Sequence, residues 1–344
     1  MSRTVFYPYT GEAEDSLAIS PMLIVQEYGG TSAWTPAVEA LNQVQWQLAI
    51  EPTLDKKRIF QAGAYYLPPT YGYNAAELLP VASSNGSLEY FGSFSHHNYP
   101  QTASAKANSS APVLDELMSH VNTSDNVALY AADTAAADKY GVEYVFGETN
   151  SVSGGGSSDI SPTFGAGLWV LDYVLRATSS NITKLNFHFQ SYGTSYYIWW
   201  DEESIRSPYY GGFVATDALA GESYITALDD GTSNYAAYAI YSADKTLSKV
   251  VLINTDYFDG AGTRSSHSFI ISGLTSKSIS AKRLTAASAL SRQDEGDAPT
   301  YAGQSFSNNG NCALTGKKEM EQVSVSSGKA TLKLYASEAL VITF

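Results

Sequence analysis

Along the first two thirds of the chain, short apolar runs alternate with longer stretches in which apolar residues recur every three to four positions. Residues 16–26, 58–62, 88–97, 142–148 and 185–189 predict strands. Residues 35–50 predict a helix opened by Thr35-Pro36, residues 112–140 one or two helices, and residues 161–176 another. Five β-units in strand–helix alternation predict a parallel sheet with helices outside it.

The pattern changes near residue 215. Helical periodicity fades, and β-runs follow one another at 235–241, 249–254, 266–271, 278–284, 321–325, 330–335 and 340–344. Gly, Ser, Asn and Asp separate them at hairpin-like spacing, which predicts an antiparallel β-sandwich. The expected division is 1–215 for the α/β part and 216–344 for the β part. Residues 151–158 form a Gly/Ser-rich loop inside the first part, where backbone freedom is wanted near a site.

Composition narrows the function classes. With 344 residues, 44% hydrophobic and 16% charged, the chain is globular rather than disordered. A net charge of −14 repels phosphate backbones and acidic membrane surfaces, so nucleic acid is not an expected partner. Cys312 is the single cysteine and closes no internal disulfide; no metal-ligand spacing accompanies it, and no metal or cofactor is expected. No run of 18 apolar residues occurs, so no membrane span is expected, and the start Met1-Ser2-Arg3-Thr4 lacks a secretory apolar region. The 25 tyrosines suit sugar surfaces and equally suit the outer faces of a β-rich protein. Sequons at Asn85, Asn108, Asn122 and Asn181 lean slightly towards secretion.

Candidate chemistry gathers at strand ends. Val142 through Asn150 is an apolar strand that delivers Glu148 at its C-terminal end, followed by Gly154-Gly155-Gly156. In parallel α/β architectures that end faces the ligand, although a strand-end glutamate can also be merely solvated. His96 and His97 close another strand, and because neighbours on a strand point to opposite faces, only one of them can enter a site. His188 and Gln190 end the fifth. No G-x-S-x-G elbow or H-E-x-x-H motif is present, and residues 310–318 have the wrong spacing for a phosphate loop.

The segment Gly147-Glu148-Thr149-Asn150-Ser151, running through Gly154-Gly155-Gly156 into a helix with Phe164, Leu168, Trp169 and Leu171, resembles the nucleophile segment of glycoside hydrolase family 79. His96-His97-Asn98-Tyr99, Phe187-His188-Phe189-Gln190, Ser207-Pro208-Tyr209-Tyr210-Gly211 and Ala336-Ser337-Glu338-Ala339-Leu340 extend the likeness over residues 34–344. The resemblance implies a retaining β-glucuronidase with two glutamates about 5 Å apart. Glu148 is then the nucleophile. In the family's clan the acid/base closes barrel strand four, which matches the strand at 16–26 and makes Glu27 the acid/base candidate. Here Gln26 stands where the family has Asn.

By the same likeness His97, Tyr99, Gly155, Tyr196 and Gln190 are substrate-binding, with tyrosine hydroxyls and the backbone near Gly155 holding a uronate carboxylate without arginine. Ser153 stands where the family often has Tyr. A closed barrel needs eight strands. The fold expected is therefore an incomplete (β/α)8 TIM-type barrel, strands four to eight, followed by an antiparallel β-sandwich. The expectation is an N-terminally truncated form of a secreted enzyme whose absent portion carries the signal peptide. Its partners are glycans bearing glucuronic acid or the 4-O-methyl ether, such as arabinogalactan proteins. Two alternatives stand beside it: a non-catalytic or degenerate carbohydrate-binding protein, and a retaining glycosidase for a neutral sugar.

Overall fold

The computed structural model describes residues 35–66, 68–103, 111–189, 195–202 and 204–344, and the backbone of residues 17 and 18. Five parallel strands form the first sheet: β1 (Leu17–Ala18), β2 (Phe60–Tyr65), β3 (Phe91–Asn98), β4 (Glu143–Thr149) and β5 (Lys184–Phe187). They lie side by side in chain order, each parallel to the next. Strand order that never reverses is the connectivity of a barrel wall, whereas a doubly wound sheet would show a switch point.

Helices α1 (Pro36–Ile50), α2 (Ala75–Asn85), α3 (Leu114–Met118), α4 (His120–Ala128), α5 (Ala131–Tyr140) and α6 (Phe164–Ser179) connect these strands, and α7 (Ser207–Leu219) follows the last of them. Thr35 caps α1 by accepting from the Val38 amide, with Pro36 at the first helical position, where its missing N–H costs nothing. Three helices occupy residues 114–140, where the pattern predicted one or two. Ser119 breaks the run: extended in backbone, it ends α3 and caps α4.

Helices α2 and α7 lie where the apolar pattern predicted none. Pro80 interrupts the periodicity of α2, and Pro208 with Gly211-Gly212 interrupts that of α7. In α7 the glycine is what the packing requires. A β-carbon at Gly211 would lie 1.9 Å from the Gly167 carbonyl oxygen, so α6 and α7 cross backbone to backbone.

The second sheet is antiparallel. Its central strands run β6 (Tyr224–Ala227), β7 (Tyr235–Tyr241), β8 (Leu247–Asn254), β13 (Glu338–Thr343) and β10 (Ser278–Thr285), with β11 (Glu321–Ser324) also on β10; β9 (Ser266–Ser272) pairs with β12 (Lys329–Tyr335). Strand alternation assigns two jobs to each face of this sheet. Val250, Leu252, Leu340 and Ile342 pack under β9 and β12 against Leu332 and Leu334, giving the sandwich core. Val251, Ile253, Ala339 and Val341 point the other way and join the core of the parallel part. Strands buried on both faces read as continuous apolar runs, as β8 and β13 do.

Helix α6 lies between the two sheets and is buried from Phe164 to Leu175. Phe146 of β4 stacks on Tyr173 with ring centres 5.8 Å apart, and Trp169 stacks on Tyr173 at 4.8 Å. One apolar core runs through this helix layer, and residue 215 lies inside α7.

Candidate active site

The site is built on the C-terminal ends of β3, β4 and β5. Its aim is set by one irregularity. His96 pairs with Phe146, but the next pairs are His97 with Glu148 and Asn98 with Thr149, so Gly147 is an extra residue in β4. Simple alternation would put Glu148 on the face of Phe146, among the helices. The bulge shifts the phase by one and turns Glu148 to the opposite face, beside His97.

On the helix-facing side, Thr149 Oγ1 meets the Tyr173 hydroxyl at 2.9 Å and Asn98 Nδ2 donates to the same hydroxyl at 2.7 Å. His96 also faces this side. It is fully buried, with Nε2 3.1 Å from the Tyr73 carbonyl oxygen and Nδ1 2.7 Å from the Tyr144 hydroxyl. Burial holds its pKa down at about 3, so it stays neutral.

Glu148 is 32% exposed and has three polar neighbours. The Tyr99 hydroxyl donates to Oε1 at 2.7 Å, while His188 Nδ1 and His97 Nδ1 lie 3.4 and 3.8 Å from Oε2. Burial pushes this carboxyl up, but the hydrogen bonds from His188 and Tyr99 and the adjacent imidazoles outweigh it and hold it at about 2. Glu148 is therefore an anion at any ordinary pH. Burial and the Glu148 charge raise the Tyr99 hydroxyl, which keeps its proton on the carboxylate.

His188 is fixed by the backbone. Its amide donates to the Thr149 carbonyl at 2.8 Å, and its own carbonyl accepts from Asn150 Nδ2 at 3.0 Å. The loop after Glu148 is tied across the site: the Tyr196 amide donates to the Gly155 carbonyl at 2.7 Å. Gly155 has φ +97°, and Tyr196 is exposed. Glu148, His97, Tyr99, Gly155 and Tyr196 therefore share one region, while Glu27 and Gln190 lie outside the described residues. Among the described residues, no carboxylate is hydrogen-bonded or ion-paired to Glu148.

Sequence reasoning did not single out Tyr197. Its only signal is the aromatic-rich stretch Tyr196-Tyr197-Ile198-Trp199-Trp200, which carries no motif. Its ring meets His188 edge-on at 5.8 Å. A cavity of about 200 Å³ lies between the end of β5 and α7, walled by His188 and Tyr197 on one side and by Phe187, Trp199, Tyr209 and Phe213 on the other; Glu148 does not line it.

A second charged group looks like a catalytic triad and is not one. His120 Nδ1 lies 2.8 Å from Asp172, and Ser124 Oγ lies 3.3 Å from Nε2. Nε2, however, is engaged by Asp229 at 2.8 Å, and His120 and Asp172 are fully buried. The imidazole is thus clamped between two carboxylates and has no free position to take a proton from a nucleophile. Among the described residues no three His, Cys, Asp or Glu side chains converge on a metal site, and no helix is long and apolar enough to cross a membrane.

Comparison with known proteins gives this geometry a context. Residues 237–341 match the model of the glycosyl hydrolase family 79 C-terminal beta domain. A β-glucuronidase of Aspergillus niger is 29% identical over 221 residues, 59% of this chain and 40% of that protein; one of Neurospora crassa is 27% identical over 224 residues, 55% and 39% of the respective chains. The crystal structure of a 4-O-α-L-rhamnosyl-β-D-glucuronidase from Fusarium oxysporum 12S superposes with a TM-score of 0.82 at 42% identity, over 91% of this chain and 65% of that one. An arabinofuranosidase from Xanthomonas axonopodis pv. citri, 13% identical with a TM-score of 0.60 over 89% and 62% of the two chains, shares the fold. The chain spans about two fifths of the length of the curated relatives it matches.

Proposed function

We propose that this chain, as a member of glycoside hydrolase family 79, is built to cleave β-linked glucuronic acid, or its 4-O-methyl ether, from glycans such as arabinogalactan proteins with retention of configuration. Its parallel sheet supplies strands four to eight of a (β/α)8 barrel, and a β-sandwich follows the last helix. Glu148 attacks the anomeric carbon and forms a glycosyl ester. Glu27 first protonates the departing glycosidic oxygen and then takes a proton from the water that opens the ester. No metal or cofactor enters these steps.

One observation carries this reading: Glu148, re-aimed by the Gly147 bulge, stands partly exposed at a parallel strand end and is held ionised by Tyr99 and His188. A nucleophilic carboxylate must be unprotonated and within reach of its substrate, and this one meets both conditions. The names of the relatives support a uronic acid as the sugar. His97, Tyr99, Gly155 and Tyr196 surround the position of the sugar, with Gln190 as a further contact. Exposed sequon asparagines at Asn85, Asn122 and Asn181 support a secreted, glycosylated setting.

The test is a panel of aryl β-glucuronide, β-glucoside and β-xyloside presented to the full chain. Release from the glucuronide at least tenfold faster than from the other two is expected; preference for a neutral glycoside contradicts the substrate assignment. Binding of glucuronide without release supports the carbohydrate-binding alternative.

A further inference from the structure

A uronate brings a negative charge to a centre that already holds one, inside a chain of net charge −14. Two unit charges about 4 Å apart repel by about 4 kcal/mol at an effective dielectric constant near 20, so something must offset the Glu148 charge for the sugar to bind. Among the described residues, every ion pair of Glu148 is to histidine, with no lysine or arginine.

His97 and His188 approach the same oxygen, Oε2, at 3.8 and 3.4 Å, so a proton on either imidazole disfavours a proton on the other. His97 is the more enclosed, with 16% of its side chain exposed against 38% for His188, and the cost of desolvating a cation falls on it more heavily. Burial accordingly lowers His97, whereas the hydrogen bond to Glu148 raises His188. Of the two imidazoles, His188 is therefore the one better placed to carry a proton beside Glu148. With Nδ1 turned to Glu148, the His188 Nε2–H has no partner among the described residues, and the side chain lines the cavity.

We infer that protonated His188 is the charge filter of this site: paired with Glu148, it makes the centre neutral towards a uronate, and its deprotonation excludes uronates while leaving neutral glycosides unaffected. This rests on the glucuronide reading of the same site. Among the described residues the groups facing His188 are Glu148 on β4, His97 on β3, and the hydroxyls of Tyr99 and Tyr197, both raised by burial and uncharged in the working range. The uronate carboxyl, with an ordinary pKa near 3–4, stays ionised above about pH 5. One proton is thus linked to one bound anion, and uronate affinity falls about tenfold per pH unit above the His188 midpoint.

The experiment is calorimetric titration of the full chain with methyl β-D-glucuronide and methyl β-D-glucoside between pH 5 and 9, with histidine-labelled NMR following His188. Expected are a tenfold-per-unit loss of glucuronide affinity on the alkaline side, a flat profile for the glucoside, and a rise in the His188 midpoint when glucuronide saturates the site. His188→Gln should bind glucuronide weakly with no slope, and His188→Lys should restore binding and move the slope to higher pH. A pH-independent glucuronide affinity in the parent, or an unchanged slope in folded His188→Gln, overturns the filter even where glucuronide is preferred. Glucoside bound more tightly than glucuronide at pH 5 overturns both the filter and the substrate reading.

Discussion

A β-carbon added to Gly147 would stand 2.1 Å from the hydroxyl oxygen of Ser95 on the neighbouring strand. This contact ties the sequence to the aim of the proposed nucleophile, because Gly147 is the extra residue that turns Glu148 away from the helices. Gly147→Ala should destabilise the chain by about 1–3 kcal/mol in urea unfolding, the usual penalty for forcing a methyl into a packed site. It should also lower glucuronide turnover at least tenfold, and adding Ser95→Gly should recover much of the stability. Parent-like stability and activity in Gly147→Ala would mean that the bulge has no part in placing Glu148.

Tyr99→Phe removes the hydroxyl proton from Glu148 Oε1 and leaves the ring in place. A hydrogen bond to a charged group is worth about 1.5–3 kcal/mol, so the Glu148 carboxyl should rise from about 2 towards its ordinary 4.5. The sign is fixed: a depressed carboxyl is ionised above its pKa and loses that state as pH falls. The acid limb of the pH–rate profile should therefore move to higher pH in the variant, with a larger rate deficit at pH 4 than at pH 7. An acid limb that stays in place would remove Tyr99 from the control of Glu148.

His120 links α4, the central helix α6 through Asp172 and the β-domain loop through Asp229. Burial lowers its pKa, but the two carboxylates outweigh burial and raise it from 6.5 to about 10. A histidine raised on folding contributes stability that is fully present below its unfolded value of 6.5 and is lost as pH climbs through about 10. His120→Gln leaves Asp172 buried without its cation and should cost about 3–5 kcal/mol at pH 6. The gap between variant and parent in urea unfolding should narrow as pH approaches 10; a gap that does not change with pH would show that His120 acts through packing alone.

The sequence carries much of this architecture because strand and helix patterns are local properties. Residues 235–241 are a short apolar run bounded by turn residues, and they form β7. Helices α2 and α7 were hidden because Pro80, Pro208 and the Gly211-Gly212 pair suppress the periodicity that reveals a helix. The site is less legible. Strand alternation separates His96 from His97, but the phase of Glu148 depends on one unpaired glycine, which emerges only when β3 and β4 are placed in register. His120 reads as an ordinary helical residue because Asp172 and Asp229 lie 52 and 109 positions away. Tyr197 enters through a loop whose course no motif predicts.

The central claim is that Glu148 forms a covalent bond to the sugar. Incubating the full chain with a 2-deoxy-2-fluoro-β-D-glucuronyl fluoride, which traps the glycosyl ester, and mapping the product by peptide mass spectrometry tests it directly. One fluorinated uronyl group on the peptide containing Glu148, absent in Glu148→Gln, is the result predicted here. Labelling at another carboxylate, or persistent labelling in Glu148→Gln, would contradict it.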